Sequence, residues 1–293
     1  MRVIIDTNRL EQTELRAFFE IDQCNTAVLT EFGAVEIFKP RTDEAVYASL
    51  QLVSEYSDRV IILHSGRHAA LVNPKAPALS NHLIDRAMTR EFPRFCAAMK
   101  EAEAGHVGYQ RQLAQRRGWA NERMAAISDL VGDQSNALKE VRSIFSPDEW
   151  RRYSKREPFR DGTRDKIMAG TDKIARVYAD AHPSGVRLPN GHSRKNHFIW
   201  RFALCQFIHL LELAAKGSTQ RKREKARNDQ IDVMLATYAT YFNGIMTQDK
   251  GPMLTHHLAR IVLRSIGAYI AEDYMDEYSL KVATYADLGH RRG

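Results

Sequence analysis

The chain has 293 residues, long enough for one large domain or two of roughly 150 residues, and 44% of them are hydrophobic, the proportion of an ordinary globular protein with a sizeable core. Its 43 basic residues outnumber 36 acidic ones, a balance of +7 that favours polyanionic partners over an acidic, repelling role. Three widely separated cysteines, Cys24, Cys96 and Cys205, exclude a disulfide framework and a CxxC zinc site and fit a reducing, cytoplasmic setting.

In chain order, the β-branched run at residues 2–5 has the pattern of a short buried parallel strand, and it ends at Asp6. Leu10, Leu15, Phe18 and Phe19 predict a helix over 9–20. Residues 26–30 suit a second strand. A helix over 31–38 is expected to stop at Pro40, and Thr42 or Asp43 caps the next one, with Val46, Leu50 and Val53 at helical spacing. Residues 59–63 give a third strand. Alternating strand and helix predicts α/β layers around a parallel sheet.

From Leu79 to about Arg152 the strand signal disappears. Three or four helices are expected there, with breaks near Pro93, Gly105-His106, Gly118 and Ser146-Pro147. A loop follows over about 182–191, where Pro183, Gly185, Pro189 and Gly191 cluster. The apolar stretch from Phe198 to Ala215 is interrupted by Arg201, Gln206, His209 and Glu212, so it is expected as a buried helix over about 195–216 and not as a membrane span. The first residues become charged too soon for a signal peptide.

A basic run from Lys216 to Arg227 leads into Asn228-Asp229-Gln230-Ile231-Asp232. Ile231, Leu235, Tyr238 and Phe242 predict a helix ended by Gly244. Asp229 and Asp232 sit one turn apart on another side of it. Ile245-Met246-Thr247 is a short strand with Asp249 just past its end. The remainder is mainly helical, with a basic tip at Arg291-Arg292.

In an open parallel sheet, ligands bind beyond the carboxyl ends of the strands. Asp6 and Asp249 follow strands, while Glu36, Asp229 and Asp232 lie on helices that can reach the same crevice. Such a group cannot stay fully ionised alone, because mutual repulsion raises at least one pKa. A hard divalent cation relieves it, and phosphodiester hydrolysis is a chemistry such ions support.

The order Asp6-Thr7-Asn8, Thr30 to Glu36, Asn228-Asp229-x-x-Asp232, Ala239 and Thr247-Gln248-Asp249-Lys250 resembles a PIN-domain nuclease over about residues 1–65 and 220–260. The resemblance implies an α/β, PIN-like three-layer fold with a short parallel sheet flanked by helices. Residues 1–70 and 217–293 would form the core and 71–216 a large helical insertion or lobe. It implies Asp6, Glu36, Asp232 and Asp249 as catalytic and metal-holding residues around Mg²⁺ or Mn²⁺, with Asn8 and Thr247 supporting. Asp229 matches an additional acid of some branches, and its role stays open. The Gly251-Pro252 step and the helical tail depart from the family's usual closing strand.

Each acid also has a plainer reading. Asp6 can cap a helix, and Asp229 and Asp232 can complement a helix dipole. Glu36 can be a solvated residue with Glu31 as its competitor, and Asp249 can open a turn at Gly251. Arg221, Lys222, Arg223, Lys225 and Arg227 are read as a segment that steers a nucleic-acid backbone. His64 and His68 flank Gly66 without a third ligand, and His256-His257 point apart, so neither pair is read as a metal site. No Walker loop, GxGxxG or HExxH is present.

The expected function is a metal-dependent endoribonuclease of toxin or phage-defence type, restrained by a protein regulator, which leaves 5′-phosphate and 3′-hydroxyl ends. RNA is the first expected partner and DNA the second; a homo-oligomer is left open. The alternatives are a structure-specific DNA nuclease and a catalytically silent, nucleic-acid-binding scaffold.

Overall fold

The computed structural model describes residues 1–39, 42–130, 135–155, 157, 162–218 and 222–274. Pro40, Arg221 and Arg291-Arg292 lie outside the described residues.

Four short strands form one parallel sheet: β1 (Arg2–Ile5), β2 (Thr26–Leu29), β3 (Val60–Ile62) and β4 (Ile245–Met246). Their order is β3-β2-β1-β4. β1 pairs with β2 in the register Val3↔Ala27 and with β4 in the register Ile5↔Met246. Val3, Ile4 and Ile5 are fully or almost fully buried, as expected for a strand flanked on both sides. The chain builds outward from β1 to β3 on one side and then returns to β1's other side for β4. The sheet therefore reverses its direction of growth between β1 and β4.

Helices α1 (Thr13–Ile21), α2 (Glu31–Ile37) and α3 (Asp43–Glu55) join the first three strands. α1 starts later than the expected residue 9, after a 3-10 turn over Thr7–Arg9. Thr30 caps α2 by accepting from the Gly33 amide, and Thr42, not Asp43, caps α3 by accepting from Ala45.

After a single turn, α4 (Gly66–Ala69), come α5 (Arg86–Glu103) and α6 (Val107–Leu130). Two expected breaks are absent. α5 runs through Pro93 because Phe92, Cys96, Met99 and Ala102 form one buried stripe along it. That packing offsets a proline cost of about 3 kcal/mol. α6 runs through Gly118, where the intrinsic penalty is only about 1 kcal/mol. The break at Gly105 is present, with the backbone at φ +98°.

Four helices follow: α7 (Ser135–Ile144), α8 (Pro147–Ser154), α9 (Thr163–Asp180) and α10 (Phe198–Ala215). Ser146 and Glu149 form a capping box at α8, with Pro147 in its first turn. α10 is long and apolar enough to cross a membrane by length and composition, yet 94% of that stretch is buried within the fold. Its one buried arginine is satisfied internally: Arg201 donates to the backbone oxygens of Lys195, Thr240 and Tyr269 and lies 4.1 Å from the Tyr241 ring centre.

The chain closes with α11 (Arg223–Ala239), β4 and α12 (Lys250–Ser265). α11 ends earlier than the expected Gly244; a turn intervenes, and Gly244 itself adopts φ +114°. No strand follows β4 among the described residues.

The helices of 71–216 do not stand apart from the rest. One core joins the strands to α1–α3, α5, α6 and the Ile231/Leu235 side of α11. A second joins α7–α10 to Val233 and Ala236 of α11 and to Ala259 and Leu263 of α12. α10 thereby becomes a wall behind the carboxyl ends of β1 and β4.

Candidate functional site

Because Ile5 pairs with Met246, Asp6 and Thr247 emerge side by side from neighbouring strands. The Thr247 hydroxyl donates to Asp6 Oδ2 at 2.6 Å and accepts from the Asp249 amide at 3.0 Å. Asn8 then ties the two loops together. Its side-chain amide donates to Asp249 Oδ2 at 3.1 Å, and its carbonyl oxygen accepts from the Gln248 amide at 3.1 Å. Buried Arg9 adds a bond to the Thr247 carbonyl oxygen at 3.2 Å. Residues from the two ends of the chain are thus locked into one edge.

The other acids arrive from helices. β2 leads directly into α2, and Glu36 on α2 accepts from the Thr7 hydroxyl at 2.7 Å. Its competitor Glu31 is engaged elsewhere, 2.8 Å from the Arg123 guanidinium. Asp229 and Asp232 come from α11. Asp232 abuts the start of α12, where a Cβ on Gly251 would lie 3.7 Å from its Oδ2. Asp6 and Asp249 precede helical turns without a regular side-chain capping bond, so neither is explained as a cap.

All five carboxylates line one cleft of about 430 Å³, together with Thr7, Asn8, Lys225, Asn228 and Lys250. It opens where the sheet reverses, the position at which open α/β folds bind ligands. The electrostatics match the geometry. Burial raises the Asp6 pKa, Thr247's hydrogen bond opposes this, and the charge on Asp249 adds to the rise. Asp232 is pushed to about 8, first by burial and then by Asp6, Asp249, Asp229 and Glu36. A carboxyl at that value is mostly protonated at neutral pH unless a cation compensates its neighbours.

The acids surround the cleft rather than closing on a point. Among the described residues, no three His, Cys, Asp or Glu side chains stand in a finished ligating array. Mg²⁺ needs only one or two carboxylates, because water and phosphate oxygens complete its octahedron. The donor set, hard oxygens with an excess of negative charge, fits such an ion.

The basic segment divides. Lys225 lines the cleft. Lys222 and Arg223 are exposed at the start of α11. Arg227 is half-buried and turns to Asn228 and Glu224 instead. His256 is buried, and burial with nearby Arg260 lowers its pKa to about 3, so it remains a neutral core residue.

Sequence reasoning missed one wall of the cleft. His209, Glu212 and Leu213 of α10 line it, with Lys216 just past the helix end. The signal was present: His209, Glu212 and Lys216 recur at helical spacing on an otherwise apolar helix. The α12 contribution, Leu254 and Thr255, has no comparable sequence signature.

Comparison with protein-family models, curated proteins and solved structures finds no match to this chain.

Proposed function

We propose that the protein is a metal-dependent phosphodiesterase, an endoribonuclease on a PIN-like three-layer α/β fold. The observation that carries this reading is the meeting in one cleft of five carboxylates, from the end of β1, from α2, from α11 and from the β4–α12 loop; burial first and then the other four acids hold Asp232 near pKa 8. An acid set so costly to ionise is suited to a cation and a phosphate. The preference for RNA rests on the family resemblance of the motifs.

Asp6, Glu36, Asp232 and Asp249, with Asp229, are the residues that would hold Mg²⁺ or Mn²⁺. When bound, the ion supplies neutralisation of the phosphate and activation of water. The remaining work belongs to the chain. Thr247 and Asn8 fix Asp6 and Asp249, so the donors need little reorganisation. Lys225 and Lys250 place positive charge at the cleft for a polyanion. The first residues of α12, Lys250 and Gly251, line the same cleft, where the helix N-terminus adds partial positive charge. Asp232 holds a proton at neutral pH and gives it up as the cleft is neutralised.

The test is incubation of labelled RNA and DNA with Mg²⁺, Mn²⁺ or a chelator. Expected is divalent-dependent RNA cutting that leaves 5′-phosphates and disappears in Asp6→Ala and Asp249→Ala. Undiminished cutting by those variants, or cutting in chelator, overturns the assignment. DNA-only cutting transfers it to a DNA nuclease, and salt-sensitive binding without cutting favours the scaffold reading.

A further inference from the structure

His209 occupies an unusual position. It is 7% exposed, sits on the inner face of α10 and lines the cleft, and its Nε2 has no hydrogen-bond partner. A buried polar atom without a partner is destabilising, so one at a cleft wall points to a ligand. Nε2 lies 3.6 Å from Asp229 Oδ2, too far for a hydrogen bond. It is close to the separation of two donors that share one ion, because bonds of roughly 2.0–2.2 Å at tetrahedral or octahedral angles put ligand atoms about 3.0–3.5 Å apart.

One turn along α10, Glu212 enters the same cleft, and the buried Tyr153 hydroxyl donates to its Oε1. Such a bond from behind fixes the orientation of a ligating carboxylate.

We infer that His209 and Asp229 form a mixed imidazole–carboxylate half-site that favours Mn²⁺ over Mg²⁺. It lies in the same cleft as the acid set and rests on the reading of that set as a cation site. Imidazole suits first-row transition ions, least strongly Mn²⁺, but even Mn²⁺ accepts a nitrogen donor more readily than Mg²⁺, which holds to oxygen and water. The half-site gives Asp229 the role its sequence context leaves open: it faces His209 rather than serving only as a fifth oxygen donor. The consequence is selectivity. A cleft of carboxylates alone discriminates little between Mg²⁺ and Mn²⁺, and His209 biases it toward Mn²⁺.

Direct metal binding tests this independently of nuclease activity. Mn²⁺ and Mg²⁺ affinities are measured by calorimetry on the full chain, wild type against His209→Ala and His209→Asn, with thermal melts as folding controls. His209→Ala is expected to weaken Mn²⁺ about tenfold or more and to change Mg²⁺ less than twofold. In wild-type protein labelled with ¹⁵N-histidine, substoichiometric Mn²⁺ should broaden the His209 ring signals before those of exposed His106. Equal losses for both ions, no loss for either, or unbroadened His209 signals would overturn the half-site. If a variant fails to fold, ¹⁵N hyperfine coupling to Mn²⁺ in the wild-type labelled protein decides: a directly bound histidine nitrogen supports the half-site and its absence overturns it. Absence of RNA cutting with intact, His209-dependent Mn²⁺ binding would reject the nuclease reading and keep this one.

Discussion

Thr247 donates its hydroxyl hydrogen to Asp6 Oδ2 across 2.6 Å, although the two residues are 241 positions apart in the chain. The bond exists because β4 pairs with β1 in a register that sets Met246 opposite Ile5. It is the point at which the two ends of the polypeptide become one site.

Thr247→Val keeps the shape of this side chain and removes its donor. Asp6 is then buried without its main favourable contact. Stability is expected to fall by about 1–3 kcal/mol, read by urea denaturation, and RNA cutting by about tenfold or more. Thr247→Ser should retain most of both. A Val variant as stable and as active as wild type would separate this bond from the site.

Asp232 sets a pH dependence whose sign can be worked out. Its pKa rises from 3.8 to about 8 on folding. Between these values the folded protein holds a proton that the unfolded chain releases. Stability contributed by this group is complete below about pH 4, declines as pH rises, and is lost once pH passes about 8. Asp232→Asn removes the slope. Without divalent cations, the variant should melt close to wild type near pH 4 and exceed it near pH 9 by about 1–3 kcal/mol, a range that allows for screening at a half-buried side chain. With saturating Mg²⁺ the order should reverse. Calorimetric melts across pH, with chelator and with Mg²⁺, check this, and a constant difference at every pH would contradict it.

The same proton predicts that cation binding near pH 7 displaces hydrogen ions. Calorimetric titrations of Mg²⁺ in buffers of different ionisation enthalpy should show a release approaching one proton, and little above pH 9. Identical heats in all buffers would mean that Asp232 is already ionised.

Among the described residues of 221–227, Lys225 lines the cleft. Lys225→Ala should weaken RNA binding similarly across sequences and lower the salt dependence of log affinity by about 0.7–1. Lys222→Ala, exposed outside the cleft lining, should do less. Filter binding at several salt concentrations distinguishes them, and equal effects would place the RNA outside the cleft.

Much of the local structure was legible because it depends on neighbours in sequence. The apolar runs before Asp6 and Asp249, Thr42 as a cap, and the break at Ser146-Pro147 carry their own geometry, and the acids were recognisable by type and spacing. Pro93 and Gly118 misled because local propensity predicts a break, whereas a buried stripe spanning the whole of α5 outweighs it and the cost within α6 is small. The polar face of α10 was written in the periodicity of His209, Glu212 and Lys216, but periodicity does not say what that face looks upon.

The pairing of β4 with β1, and therefore the meeting of Thr247 with Asp6, was decided by the tertiary structure alone. Strand partners and helix walls are chosen by burial summed over the entire chain, and no segment holds that sum by itself.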